Sequence, residues 1–133
     1  MKAYKLLALI ALALSLGSCN HLTKEAKEMV GNYYIPEISE DVPIMELNGN
    51  GRCTIRAINP GVLTFSVEGK WNVVDDSLVT DLKRETLTYE GDSTLIGNVP
   101  EHVSSYIVDF NGMALTIKHP SGNHMVFHRR GAR

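Results

Sequence analysis

The residues best suited to chemistry in this 133-residue chain are five histidines, two cysteines and an adjacent pair of aspartates. Asp75 and Asp76 are side-by-side acids that could be imagined as a catalytic pair. Neighbouring side chains on a strand or turn point apart, and turns favour aspartate for backbone reasons, so the pair reads as a turn. His119 and His124 flank Pro120–Asn123 and are expected to face each other across a hairpin, roughly 5 Å apart at Cβ. His128 lies about 13 Å further along the strand and cannot share a metal with His124. Two imidazoles lack the third protein ligand of a catalytic zinc site, so no metal is expected. No nucleophile elbow, phosphate-binding loop or helical metal motif occurs, and neither an enzyme activity nor a cofactor is expected.

The remaining reactive groups have quieter readings. Cys53 alternates with Ile55 and Ala57, which places it as a small buried apolar side chain rather than a reactive thiol. Arg129, Arg130 and Arg133 end the chain as a solvated tail, with Arg129 positioned to close over a tryptophan face.

The first 18 residues have the layout of an export leader. Lys2 and Lys5 precede an apolar run, Leu6 to Leu14, and then the small residues of Ser15-Leu16-Gly17-Ser18. The run falls short of the ~20 residues that a membrane span needs. With Lys2 and Lys5 removed, 11 basic residues face 15 acidic ones, a charge near −4. That balance offers no basic footprint for phosphate, so nucleic acid is excluded as a partner. Roughly 100 residues then remain for the folded body, the size of one domain.

The segment 19–29 is polar and charged, and a helix this short is marginal in water, so it reads as a flexible tether with His21 solvated. From residue 30 to 133 the pattern changes to period two with turn residues roughly every 8–12 positions, which indicates an all-β fold. Tyr33 to Ile38 open it, with Pro36 limiting the strand to an edge or kink. Asn48-Gly49-Asn50-Gly51 is a turn. Phe65, Val67, Gly69, Trp71 and Val73 share one face of a long strand, and Asp75-Asp76-Ser77 turns it back into Leu78, Thr80 and Leu82. Thr86–Tyr89 reads as a further strand, and Glu90–His102 as the longest irregular stretch. Tyr106, Val108 and Phe110 alternate into a two-residue turn at Asn111-Gly112, and Met113, Leu115 and Ile117 run back. The expectation is a small antiparallel barrel of about eight strands in meander order.

Two resemblances add to this reading. Leu16-Gly17-Ser18-Cys19 resembles the lipobox of bacterial lipoproteins, which implies cleavage before Cys19 and acylation of that cysteine. Several acyl chains hold a protein to a bilayer far more firmly than one. Asn20 in place of aspartate implies the outer membrane. The body, from about Val30 to Arg130, resembles bacterial lipocalin-like lipoproteins in three segments: Glu46–Cys53, the Gly69–Leu78 hairpin, and the closing strands Tyr106–Arg129. The family's opening G-x-W stands here as Gly31-Asn32-Tyr33. That resemblance implies a lipocalin-like, up-and-down barrel.

An eight-stranded barrel is just wide enough to be filled by side chains or to hold one small ligand. Phe65, Trp71, Tyr106, Met125 and Phe127 are the bulky candidates for its interior, as core or as ligand-facing surface. The expected function is non-catalytic binding of a small apolar molecule at the cell envelope. The alternative is a protein-interaction or inhibitor module with a filled interior, docking a partner through the Glu90–His102 loop.

Overall fold

The computed structural model describes residues 21–130. The leader, Cys19 and Arg133 lie outside the described residues. A short helix, α1 (Lys24–Glu28), precedes eight strands: β1 (Gly31–Tyr34), β2 (Met45–Leu47), β3 (Arg52–Asn59), β4 (Leu63–Val74), β5 (Ser77–Gly91), β6 (His102–Phe110), β7 (Ala114–Lys118) and β8 (His124–Arg130). Each strand is antiparallel to the next, and β8 pairs back onto β1, so the sheet is a closed up-and-down barrel. Closure leaves no free sheet edge around the ring.

The turns follow from residues that accept left-handed backbone. Asp75 and Asp76 have φ of 51° and 63°, the type I′ pattern of a two-residue hairpin, between Val74 and Ser77. They are turn residues, as the sequence indicates. Gly69 is inward-facing on β4 beside Leu82 of β5, and a Cβ there would run into the Asp81 carbonyl. The two longest strands therefore cross more closely than any other side chain would allow. β5 is one strand of 15 residues rather than two. It bulges between the pairs Glu68↔Lys83 and Ser66↔Thr88, where the Thr86 hydroxyl accepts from Glu68 N–H and donates to Lys83 O.

The segment before β1 is not a free stalk from His21 onward. Leu22, Ala26 and Met29 are all buried, and they stop one end of the barrel over Tyr33, Leu47, Trp71 and Leu115. Thr23 caps α1 by accepting from Ala26 N–H, and its own hydroxyl donates to Val73 O at 2.8 Å. Asn72 ties the same turn down, accepting from Thr23 N–H and donating to His21 O. A helix of five residues is unstable alone, and here burial of its apolar face supplies what propensity does not.

Arg129 fastens the far side of this stopper. Its guanidinium donates to the carbonyls of Glu28, Val30 and Gly112, each at 2.9 Å, and lies over the Phe110 ring at 5.1 Å. It therefore closes over Phe110 and not over Trp71. Beside it the Tyr33 hydroxyl donates to Met29 O at 2.6 Å. Burial pushes the Tyr33 phenol up to about 12, and the positive charge of Arg129 opposes that rise. Arg130 is not a loose tail either: it stacks on Tyr34 at 4.2 Å and donates to Glu40 O.

Replacing Arg129 by methionine keeps apolar bulk over Phe110 but removes three donors. The expected cost is about 2–3 kcal/mol of unfolding free energy, measured by urea denaturation, with lysine recovering little because it cannot span three carbonyls.

Candidate functional site

The two ends of the barrel differ. The hairpins Asn48–Gly51, Asp75–Asp76 and Asn111–Met113 lie with α1 at the stopped end. The connections after β1, β3, β5 and β7 lie at the other. At the stopped end the interior is filled. Trp71 is 3% exposed, and its indole N–H donates to Asn48 O at 2.8 Å, satisfying the one polar atom of its ring.

Towards the opposite end the interior opens. A cavity of about 290 Å³ lies between β2, β5, β6, β7 and β8, with Ile44, Met45, Leu78, Ile117, Met125 and Phe127 among its walls. A second lobe of about 220 Å³ runs on between β3 and β4, lined by Phe65, Val67 and Ala57. Ile55, Leu82, Pro100 and Val103 line both lobes, so the two are neighbouring parts of one apolar space. The connection from β5 to β6 forms its lip. Asp92 starts a 3₁₀ turn at Ser93–Leu95, accepting from Thr94, which holds the Asp92 carboxyl below its usual range. Val99 and Pro100 are then held against β5: Arg84 donates to Val99 O at 2.7 Å, and Leu82 N–H donates to Glu101 O at 2.6 Å.

The expected interior residues separate into three groups. Phe127 is 2% exposed, and with half-buried Met125 it lines the larger lobe. Phe65 is half-buried in the wall of the smaller lobe, while Trp71 belongs to the filled end. Tyr106 is the exception, since it stands 54% exposed on the outer face. The inward residues of β6 are Val103, Ser105 and Ile107, the opposite phase to the alternation of Tyr106 and Val108. A bulge between Ile107 and Asp109 then brings Phe110 inward. The hairpin after it turns about Gly112-Met113, because the Asn111 side chain accepts from Met113 and Ala114 N–H and holds the turn one residue later.

The histidines do not meet as expected. His124 pairs with Lys118, while His119 pairs through its N–H with Asn123 O, and its ring contacts Ser121 at the lip. Among the described residues no group of three or more histidine, cysteine or acidic side chains converges as a metal site. His102 and Asp81 meet at 2.6 Å on the exposed outer face. Sequence reasoning missed most of the cavity wall, above all Ser105, Val103 and Pro100. Its signal was present, because Val103, Ser105 and Ile107 alternate as regularly as the residues between them.

Cys53 is 2% exposed on β3, and burial pushes its thiol up from 9.0 to about 12. The folded protein therefore keeps this proton where the unfolded chain has lost it. Stability linked to Cys53 is complete below pH 9 and is lost as pH rises towards about 12, with Tyr33 adding the same trend from pH 10. The urea midpoint is expected to fall above pH 9, and Cys53→Ala to flatten the first part of that fall.

Compared with family models, with curated proteins and with solved structures, the chain matches none.

Proposed function

We propose that this chain is a lipid-anchored envelope lipoprotein whose barrel takes up a small apolar ligand, without catalysis. The observation that carries the binding half is the apolar cavity of about 290 Å³ at the end of the barrel opposite α1. Ligand sites are typically pre-formed concavities lined by apolar side chains with few polar groups, and this space has that character. It is open at one end in a barrel that α1 stops at the other. That arrangement favours uptake over the alternative of a docking module with a filled interior.

The lipocalin-like resemblance gains support from the same architecture. Up-and-down closure brings the two ends of the resembling region together. Arg129, at the end of the closing strands, meets Tyr33, which occupies the place of the family's opening tryptophan. The anchoring half rests on the leader pattern and on Leu16-Gly17-Ser18-Cys19. The outer membrane is the proposed destination, from Asn20 after the cysteine.

Both halves have direct tests. The chain has two cysteines, and Cys53 is buried. If Cys19 is acylated, protein from a bacterial envelope shows no reactive thiol when folded and one in urea. Two thiols in urea would remove the anchor. For the cavity, the neutral probe N-phenyl-1-naphthylamine is expected to bind with enhanced emission. Val103→Trp, which adds bulk where the two lobes meet, should weaken that binding by roughly tenfold or more. Equal binding by the variant would place the probe elsewhere.

A further inference from the structure

Two side chains in the larger lobe do not fit a cavity designed for hydrocarbon alone. Thr80 on β5 and Ser105 on β6 are 6% and 9% exposed, the only buried polar residues among those described, and both line the same lobe. Neither hydroxyl has a hydrogen-bond partner among the described residues. Neither is sealed within the wall, since every fully buried side-chain polar atom that is described is partnered. Both hydroxyls therefore open onto the cavity.

The sheet register places them close together. Thr80 is opposite Val103 and Ser105 is opposite Leu78, so the two are diagonal neighbours on one inward face. Such neighbours stand about 7–8 Å apart along the backbone, near enough for one ligand group to meet both hydroxyls. Trp71 on β4 is directly opposite Thr80 on β5, so the pair sits where the filled end meets the cavity.

The charge in the surroundings narrows the chemistry. No lysine, arginine, aspartate or glutamate lines the larger lobe. His119 lies at its lip, with its Nδ1 accepting from Ser121 N–H. Arg56 borders the smaller lobe, and its guanidinium is taken up by Glu46 and Pro43 O. A carboxylate or ammonium carried to Thr80 and Ser105 would be buried without a counter-charge, which is strongly unfavourable. A hydroxyl, ketone or ester oxygen would be satisfied there, since each protein hydroxyl is both donor and acceptor.

We infer that the ligand is a neutral amphiphile, an apolar chain or ring system bearing one uncharged oxygen group, bound with that group inward against Thr80 and Ser105. This rests on the cavity being a binding site. It assigns these two residues the role of choosing among apolar molecules by one hydrogen-bonding group. Free fatty acids, which share the apolar tail but carry charge, are excluded by the same wall.

The test uses the full acylated chain on phosphatidylcholine vesicles, with bare vesicles as blank and emission of the single tryptophan, Trp71, as readout. The probes are 1-octanol, n-octane and octanoate. Octanol is expected to bind about tenfold tighter than either of the others, the worth of one or two buried hydrogen bonds. The double variant Thr80→Val, Ser105→Ala should lose that preference, with octanol binding no tighter than octane. Octane bound as tightly as octanol by the wild type, or octanoate bound most tightly, would overturn the inference and leave an apolar site standing. If none of the three binds, both this inference and the uptake reading fall. Unfolding of the empty protein gives an independent measure. An unpartnered hydroxyl exchanged for an isosteric methyl should leave the Thr80→Val urea midpoint unchanged or raised, and a clear drop would overturn the assignment by revealing a structural partner.

Discussion

The pairing of β1 with β8 is the constraint on which the other features depend. It joins Asn32, Tyr33 and Tyr34 to Arg130, Arg129 and His128, nearly a hundred residues apart in sequence. A sheet of eight strands left open would present two edges and no enclosed interior. Once closed, it fixes which side chains face inward and how much room they leave. Because β1 and β2 are only 4 and 3 residues long, the seam is short and takes reinforcement from side chains. Arg129 supplies it by reaching from β8 to the carbonyls before β1, and the Tyr33 hydroxyl secures the end of α1 from within. Loss of pairing at this seam would release the stopper and the interior together.

That interior is divided. Bulky residues crowd one end, where Trp71, Tyr33 and Leu115 meet the buried face of α1. The other end is walled by Phe65, Phe127 and aliphatic side chains that leave open space between them. A core filled throughout would be the more stable arrangement, since voids forgo dispersion contacts. Two unpartnered hydroxyls in the same wall add a second departure from the stability optimum. Both departures fall in one lobe, while elsewhere no fully buried side-chain polar atom that is described lacks a partner.

Much of the barrel was legible in the residue pattern because alternation is unambiguous wherever one phase is apolar and the other is not. β4 is the best case: Val67, Trp71 and Val73 are buried, while Glu68, Lys70 and Val74 are exposed. The Asp75-Asp76 turn was equally plain. β6 was not, because both of its phases carry apolar residues, and a bulge changes phase partway along. A one-residue error there sends a whole strand face outward, which is why Tyr106 was misplaced and Ser105 unnoticed. The helix was obscured differently. Leu22, Ala26 and Met29 recur at helical spacing, but four charged residues in the same stretch make it resemble a solvated linker. Only the barrel end that receives those three residues gives their spacing a meaning. The cavity was the least legible, since its lip is formed by Val99 and Pro100 in a stretch with no period.

The docking of Thr23 and Leu22 bears on how the molecule would sit. Thr23 is the fourth residue after Cys19, a reach on the order of 14 Å even at full extension. Acyl chains on that cysteine would therefore hold α1 and its neighbouring hairpins close against the headgroups, with almost no stalk between. The Pro100 lip, at the other pole, would look into the aqueous compartment. Cargo would then be exchanged with whatever approaches through water, and a molecule dissolved in the same leaflet would have to leave it first.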